Sequence, residues 1–392
     1  MRRSECSAAC LVYALGTLSA IGAWVAPAAQ AQESGTSALT AQMNQVCAGA
    51  ATGSALASRC ATILASSNPD AKAIAADHND LEEIPGAGRG DARDASPEDT
   101  SKNETRTQLT PKLALFASVD DTRNSRSVDS IEAAFDADVV TFTAGLDWHP
   151  ADRWQLGLAF NHAHEVQDFR GSEGILDADY TGAIALASFE ASDHFSLNGY
   201  AGWLSGDQDL RRVVSFVDDS TPVAETASPN ADRRLYGFAL DANFPHGALE
   251  WRGSVGFDSL RTSIDGYTES GGSGFDLIVP DRAIETDRGR IDVALAGTFS
   301  ETWGVWQPEF RIGLRHEFGN DEHIVDVRFV DDTNGAVVSF DTGAPDRDWA
   351  QAGLSAAFTF PHGNSAFVSV GREFDHSTST ATMYAIGWRI EL

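Results

Sequence analysis

The first candidate for chemistry is the stretch HAHE, residues 162–165, where His162 and His164 stand two apart. At that spacing both side chains share one face of a strand, so two imidazoles can converge on a metal ion. No third ligand follows at a suggestive spacing, and ordinary polarity where a strand emerges into a loop is the better reading; no metal site is expected. GGSGF, residues 271–275, carries a Ser without the final Gly of a nucleophile elbow, which argues against acyl transfer. The aspartate pairs of VSFVDDS (214–220) and VRFVDDT (327–333) show no ordered series of the kind a Ca²⁺ loop needs, and read as a solvated acidic rim. RGD at 89–91 lies in linker composition and is too short to carry an adhesive role. With no catalytic constellation visible, neither an enzyme nor a cofactor site is expected.

Two further groupings are structural in character. Cys47 and Cys60 are an even pair that remains once the leader is removed, and in an exported chain they are expected to form a disulfide. The row Glu309, Arg311, Arg315 and Glu317 places four charges on one side of a strand whose other side is Phe310, Ile312, Leu314 and Phe318. Those charges can pair with one another or hold a segment threaded past them.

Elements that position these residues follow from periodicity. Val140, Phe142, Ala144, Leu146 and Trp148 alternate with polar or small residues, as do Trp154 to Phe160, Tyr236 to Phe244 and Ile291 to Leu295. The same reading predicts strands near 112–120, 138–148, 154–165, 178–189, 195–205, 233–244, 248–260, 288–299, 304–318, 348–360, 365–375 and 381–392. Connections alternate between short (HPADR, EASDH, PHG, SETWG, PHGN) and long (206–232, 261–287, 319–347). A sandwich has no reason to sort loop length by parity, whereas a membrane barrel has short turns on one rim and long loops on the other. The short turns are bracketed by Phe or Trp, as interfacial residues at a periplasmic rim would be. His149, His194, His246 and His362, in or beside those turns, read as solvated turn residues.

The N-terminal third differs. Arg2 and Arg3 precede an apolar run that closes on small residues before Gln32, the pattern of a signal peptide over 1–31. Residues 32–67 are Ala-rich with helical spacing broken at Thr52–Gly53, expected as a disulfide-stapled helical hairpin. Residues 68–106 have the Gly, Asp and Pro content of a polar linker, or of a segment threading the barrel lumen. A net charge of −29 excludes nucleic acid as a partner.

The chain ends MYAIGWRIEL, where Tyr384, Ile386, Trp388, Ile390 and Leu392 alternate to the last residue around Gly387. This resembles the terminal strand read by the outer-membrane assembly machinery, with Leu392 in place of the usual Phe. DGYTESGGSGFDLIV (265–279) and LRHEF (314–318) resemble motifs of the autotransporter translocator barrel, the type V secretion family. The resemblance spans about residues 109–392. It implies twelve strands, periplasmic termini, a helix in the lumen and a passenger exported ahead of the barrel. Only 32–106 precedes this barrel, shorter than the β-helical passengers typical of the family.

The expectation is therefore an all-β chain: a 12-stranded antiparallel transmembrane β-barrel over 107–392 with a small α-helical N-terminal region. It would sit in the bacterial outer membrane as a monomer, contacting lipid, lipopolysaccharide and the barrel assembly machinery. It would anchor or translocate its short N-terminal region to the cell surface. The alternative is a passive pore or structural barrel whose N-terminal region stays in the periplasm.

Overall fold

Successive side chains on a strand face opposite ways, so one strand can show Phe and Leu to one medium and Asp and Arg to another. The computed structural model describes residues 45–66, 113–126, 134–170, 174–216, 219–319, 324–341, 346–361, 364–375 and 379–391. In it this alternation is wrapped into a closed ring.

The ring begins with β1 (Leu113–Arg126), β2 (Phe135–Ala151), β3 (Trp154–Phe169), β4 (Gly174–Glu190) and β5 (Phe195–Phe216). It continues through β7 (Asn230–His246), β8 (Leu249–Ile264), β11 (Arg282–Gly297) and β13 (Gly304–Glu317), then β16 (Asp348–Thr359), β17 (Ser365–Phe374) and β18 (Ser379–Glu391). Each pairs antiparallel with the next, and β18 closes on β1 from Ala114↔Glu391 to Arg126↔Ser379. The twelve expected strands are these twelve. Closure leaves the ring no free edge, which a lipid environment demands because unpaired N–H and C=O groups there have no water to bond.

Polarity is inverted relative to a water-soluble domain. Leu158, Leu314 and Phe318 on the outer face are each 61% exposed, while Glu165 and Gln167 on the inner face of β3 are fully buried. Such an apolar outer surface is stable against hydrocarbon rather than water.

The rims differ as the loop lengths predicted. Both ends of the ring, Leu113 and Glu391, lie on the rim of the short turns. Aromatic contacts girdle that rim: Trp154 with Phe189 at 4.7 Å, Phe195 with Phe244 at 6.1 Å, Phe299 with Trp306 at 5.0 Å and Phe360 with Trp388 at 6.4 Å. His194 is an exposed turn residue, as expected, whose Nδ1 also lies 2.9 Å from the Asn243 carbonyl and whose ring stacks on Phe244. His362 lies outside the described residues.

Towards the long-loop rim, β6 (Asp219–Ala227) folds back on β5. Above it stands a separate four-stranded sheet that periodicity did not predict: β9 (Tyr267–Thr268), β10 (Leu277–Val279), β14 (Ile324–Phe329) and β15 (Val338–Asp341), in the order β15-β14-β10-β9. A further short strand, β12 (Phe299–Glu301), belongs to the hairpin leading into β13.

Candidate functional site

The inner wall is a lattice of ion pairs. Arg233 donates to Glu165 at 2.9 Å, Gln167 donates to the same carboxylate at 2.7 Å, and the guanidinium lies 3.5 Å above the Tyr180 ring. On the neighbouring strands Arg290 meets Asp258 at 3.2 Å, and the Tyr200 hydroxyl donates to Asp258 at 2.7 Å. Charges so enclosed are tolerable only when paired, and each pair ties neighbouring strands into a fixed wall.

The predicted row on β13 faces this interior. Arg252 bridges to Glu309 at 2.7 Å, Arg311 donates to Glu309 at 2.6 Å, and Arg315 donates to Asp292 at 2.8 Å and to Gln351 at 2.7 Å. Arg288 lies 3.9 Å from Glu317 and stacks over Trp349 at 4.3 Å. All four predicted charges thus engage the wall itself. The segment 68–106, read from the sequence as a polar linker or a lumen-threading stretch, lies outside the described residues.

At the C-terminal strand Tyr384, Ile386, Trp388 and Ile390 point outward, as the alternation implied. Gly387 faces inward beneath the Phe367 ring, where a Cβ would overlap the aromatic carbons. Leu392 lies outside the described residues.

The outer mouth holds what the sequence did not disclose. Residues 45–49 are helical, a turn follows, and helix α1 (Ala55–Ser66) begins with Ser54 as its cap, the Ser54 Oγ accepting from the Ala57 amide at 3.1 Å. Cys47 and Cys60 form the expected disulfide with Cα atoms 5.4 Å apart. A bridge closing so short a loop stabilises by about 2–4 kcal/mol. A helix pair this small buries little core of its own and needs such a staple. Val46, Leu56 and Cys60 are also buried against Val279, Val327, Phe329 and Val338 of the outer sheet. Full burial of a Val or Leu is worth about 1.5–3 kcal/mol.

Backbone contacts fix the docking. The Gly49 carbonyl accepts from Thr333 through its amide at 2.9 Å and its hydroxyl at 2.7 Å, and the Ala51 amide donates to the Asp331 carbonyl at 3.0 Å. Asp332, one of the paired aspartates read as solvated rim, is buried and accepts from the Asn334 and Ala336 amides, so it shapes the turn that receives the helices. Gly274, at φ 86°, abuts the start of α1 so closely that a Cβ would collide with Ala55 and Leu56 backbone. GGSGF is therefore a close-approach element rather than a failed catalytic elbow.

The loop bearing Gly274 is itself clamped. Arg212, at the outer end of β5, makes a two-pronged bond to Glu269 and donates to the Phe275 carbonyl at 2.8 Å. Buried Glu225 on β6 accepts from the Ser273 amide at 3.0 Å and faces Asp276. Burial first, then the proximity of Asp276, raises the Glu225 pKa. Burial alone would raise Asp276 too, but the Glu225 carboxyl and the Gly272 and Gly271 amides outweigh it and hold Asp276 low. A protonated Glu225 can thus donate to an ionised Asp276.

This arrangement sets a pH dependence. Glu225 keeps its proton where the unfolded side chain has lost its own, so its contribution is complete below the ordinary glutamate value and drains away as pH rises through the raised one. Asp276 contributes above the ordinary aspartate value and loses this only when pH falls through its depressed one. Hydrogen exchange at the Ser273 amide, corrected for intrinsic rate, is expected to quicken as pH rises through the raised Glu225 value. Glu225→Gln should flatten that profile; an unchanged profile in the variant would assign the effect elsewhere.

A family model, Autotransporter beta-domain, matches residues 115–371. Among solved structures, the translocator domain of the autotransporter NalP from Neisseria meningitidis superposes with a TM-score of 0.58 at 14% identity, covering 72% of this chain and 89% of that one. The beta domain of the Bordetella autotransporter Brka gives 0.52 at 14% identity, covering 72% of this chain and 100% of that one. No curated protein matches the chain. At such identities the solved structures speak to the fold.

Proposed function

The chain belongs to the autotransporter β-domain family, whose barrels lie in Gram-negative outer membranes and translocate an N-terminal passenger, and on that premise we propose that its cargo is the stapled module 45–66. The module is delivered through the barrel and retained at the outer mouth as a minimal surface domain. One observation carries this reading: the module ends at Ser66 packed on the long-loop rim, while the wall starts at Leu113 on the short-turn rim. The connecting chain has to cross from one rim to the other, and residues 67–112, at up to ~3.3 Å each, easily span the roughly 30 Å of hydrocarbon.

Translocator barrels of this family generally carry no catalytic activity, and this reading assigns none. The outward strand ending at Ile390 is presented to the barrel assembly machinery, the apolar belt contacts lipid and lipopolysaccharide, and the barrel acts as a monomer. An epitope placed after Gln32 is expected to be labelled by antibody and shaved by protease on intact cells. An epitope protected until the outer membrane is breached would favour the passive barrel with a periplasmic N-terminal region.

A further inference from the structure

The sequence lacked a third ligand beside His162 and His164; the fold supplies one from the neighbouring strand. Register places His164 opposite Asp179 and His162 opposite Thr181, all on the outer face. The His164 Nδ1 lies 3.2 Å from an Asp179 oxygen and 3.5 Å from an Asp177 oxygen. The His162 Nε2 lies 3.8 Å from the same Asp179 oxygen, and its Nδ1 lies 3.2 Å from the Thr181 hydroxyl. Donor atoms of His164, Asp177 and Asp179 all fall within 4.8 Å of one another.

From this geometry we infer that His162, His164, Asp177 and Asp179 form a surface site for a divalent transition-metal ion of the Zn²⁺ class. With metal–ligand bonds of about 2.0–2.1 Å, the edges of a tetrahedral site are about 3.3 Å, so the donors of His164, Asp177 and Asp179 need only small rotations to enclose an ion, while His162 has to swing towards them as the fourth ligand. Two imidazoles select Zn²⁺ over Ca²⁺ or Mg²⁺, which prefer all-oxygen shells.

Charge on the adjoining strand points the same way. Asp177 lies opposite Asp209 and Asp179 opposite Asp207, two like-charged cross-strand pairs on one outward face. Directly opposed like charges destabilise a sheet. Among the described residues the cations in ion-pair contact with Asp177 and Asp179 are the two histidines, and these carry charge only when protonated. Bare His–Asp pairs this exposed contribute little, scant compensation for four clustered carboxylates. A bound dication neutralises the cluster and straps β3 to β4. The site stands one step beyond Phe160 and beside Phe142 and Val140, where the apolar belt ends towards the long-loop rim.

The test is equilibrium dialysis and calorimetry with ZnCl₂ on the untagged full-length barrel in detergent micelles. Tight binding of one ion is expected, unaffected by a large excess of CaCl₂. His164→Ala and Asp179→Asn should each weaken it at least tenfold, while His246→Ala on the opposite rim should leave it unchanged. Co²⁺ in place of Zn²⁺ should give the visible absorption of a tetrahedral site, lost in the same two variants. These side chains are half-exposed and outward, so heat-modifiable mobility on gels verifies folding of each variant. Wild-type affinity in folded His164→Ala or Asp179→Asn, or no retained zinc in the wild type, would overturn the inference.

Discussion

A chain lacking residues 390–392 is expected to leave almost no heat-modifiable barrel in the outer membrane, a loss of tenfold or more. The direct structural cost is small. The truncation removes two rungs of the β1–β18 seam, Ala114↔Glu391 and Leu115↔Ile390, from a ladder that continues to Arg126↔Ser379. Such a loss is worth about 1–3 kcal/mol from ladder bonds and lipid-facing area. A near-total assembly defect would thus exceed what stability explains and would mark the terminus as a recognition element. The separating measurement is refolding of the truncated chain into detergent, which should succeed while assembly in cells fails. Normal barrel levels in cells would reduce Tyr384, Ile386, Gly387, Trp388 and Ile390 to an ordinary closing strand.

Deleting residues 70–104 is expected to raise single-channel conductance in planar bilayers several-fold. A ring of twelve strands is wide enough to leave a lumen unless chain occupies it. Here the inner wall is polar and charged, with Arg252, Arg311 and Arg315 on adjoining faces. The companion variant Val46→Asp with Leu56→Asp buries two carboxylates in the apolar seat between module and outer sheet, and so should undock the cap alone. If the cap variant alone reproduces the full rise, the constriction lies at the mouth. If neither changes the conductance, the lumen is open or is closed by the loops, and the threading idea fails.

What the sequence disclosed and what it hid divide along a physical line. Within the hydrocarbon each strand must be apolar on one side only, so Leu156, Leu158 and Phe160 stand out against Gly157 and Ala159, and all twelve strands were legible. Above the belt both faces may be polar. The ladder there continues through His162, Glu165 and Gln167 to Phe169, but the period fades, and several strands run further than expected. Cys47 and Cys60 were legible as a pair because an exported thiol seeks a partner. Their docking was not, because nothing in residues 45–60 names the surface that receives them. A signal did exist in the loops: Val325, Val327 and Phe329 alternate, as do Phe275, Leu277 and Val279, and short apolar alternation far from the belt implies a second, dry contact. The metal cluster was hidden for a related reason, since its halves lie on strands whose register only the fold reveals.

The seat of the module on the outer sheet also bears on direction. A chain diffusing through a narrow opening moves backward as readily as forward until some step makes return costly. Burial of Val46, Leu56 and Cys60, with the two bonds from Thr333 to the Gly49 carbonyl, becomes available only at the far rim. A segment that reached this seat would be withdrawn from the backward flux, and the Cys47–Cys60 bridge holds the seated unit compact. With 45–66 as the proposed cargo, the mouth would act as a ratchet, biasing thermal motion with the free energy of the cargo's own folding.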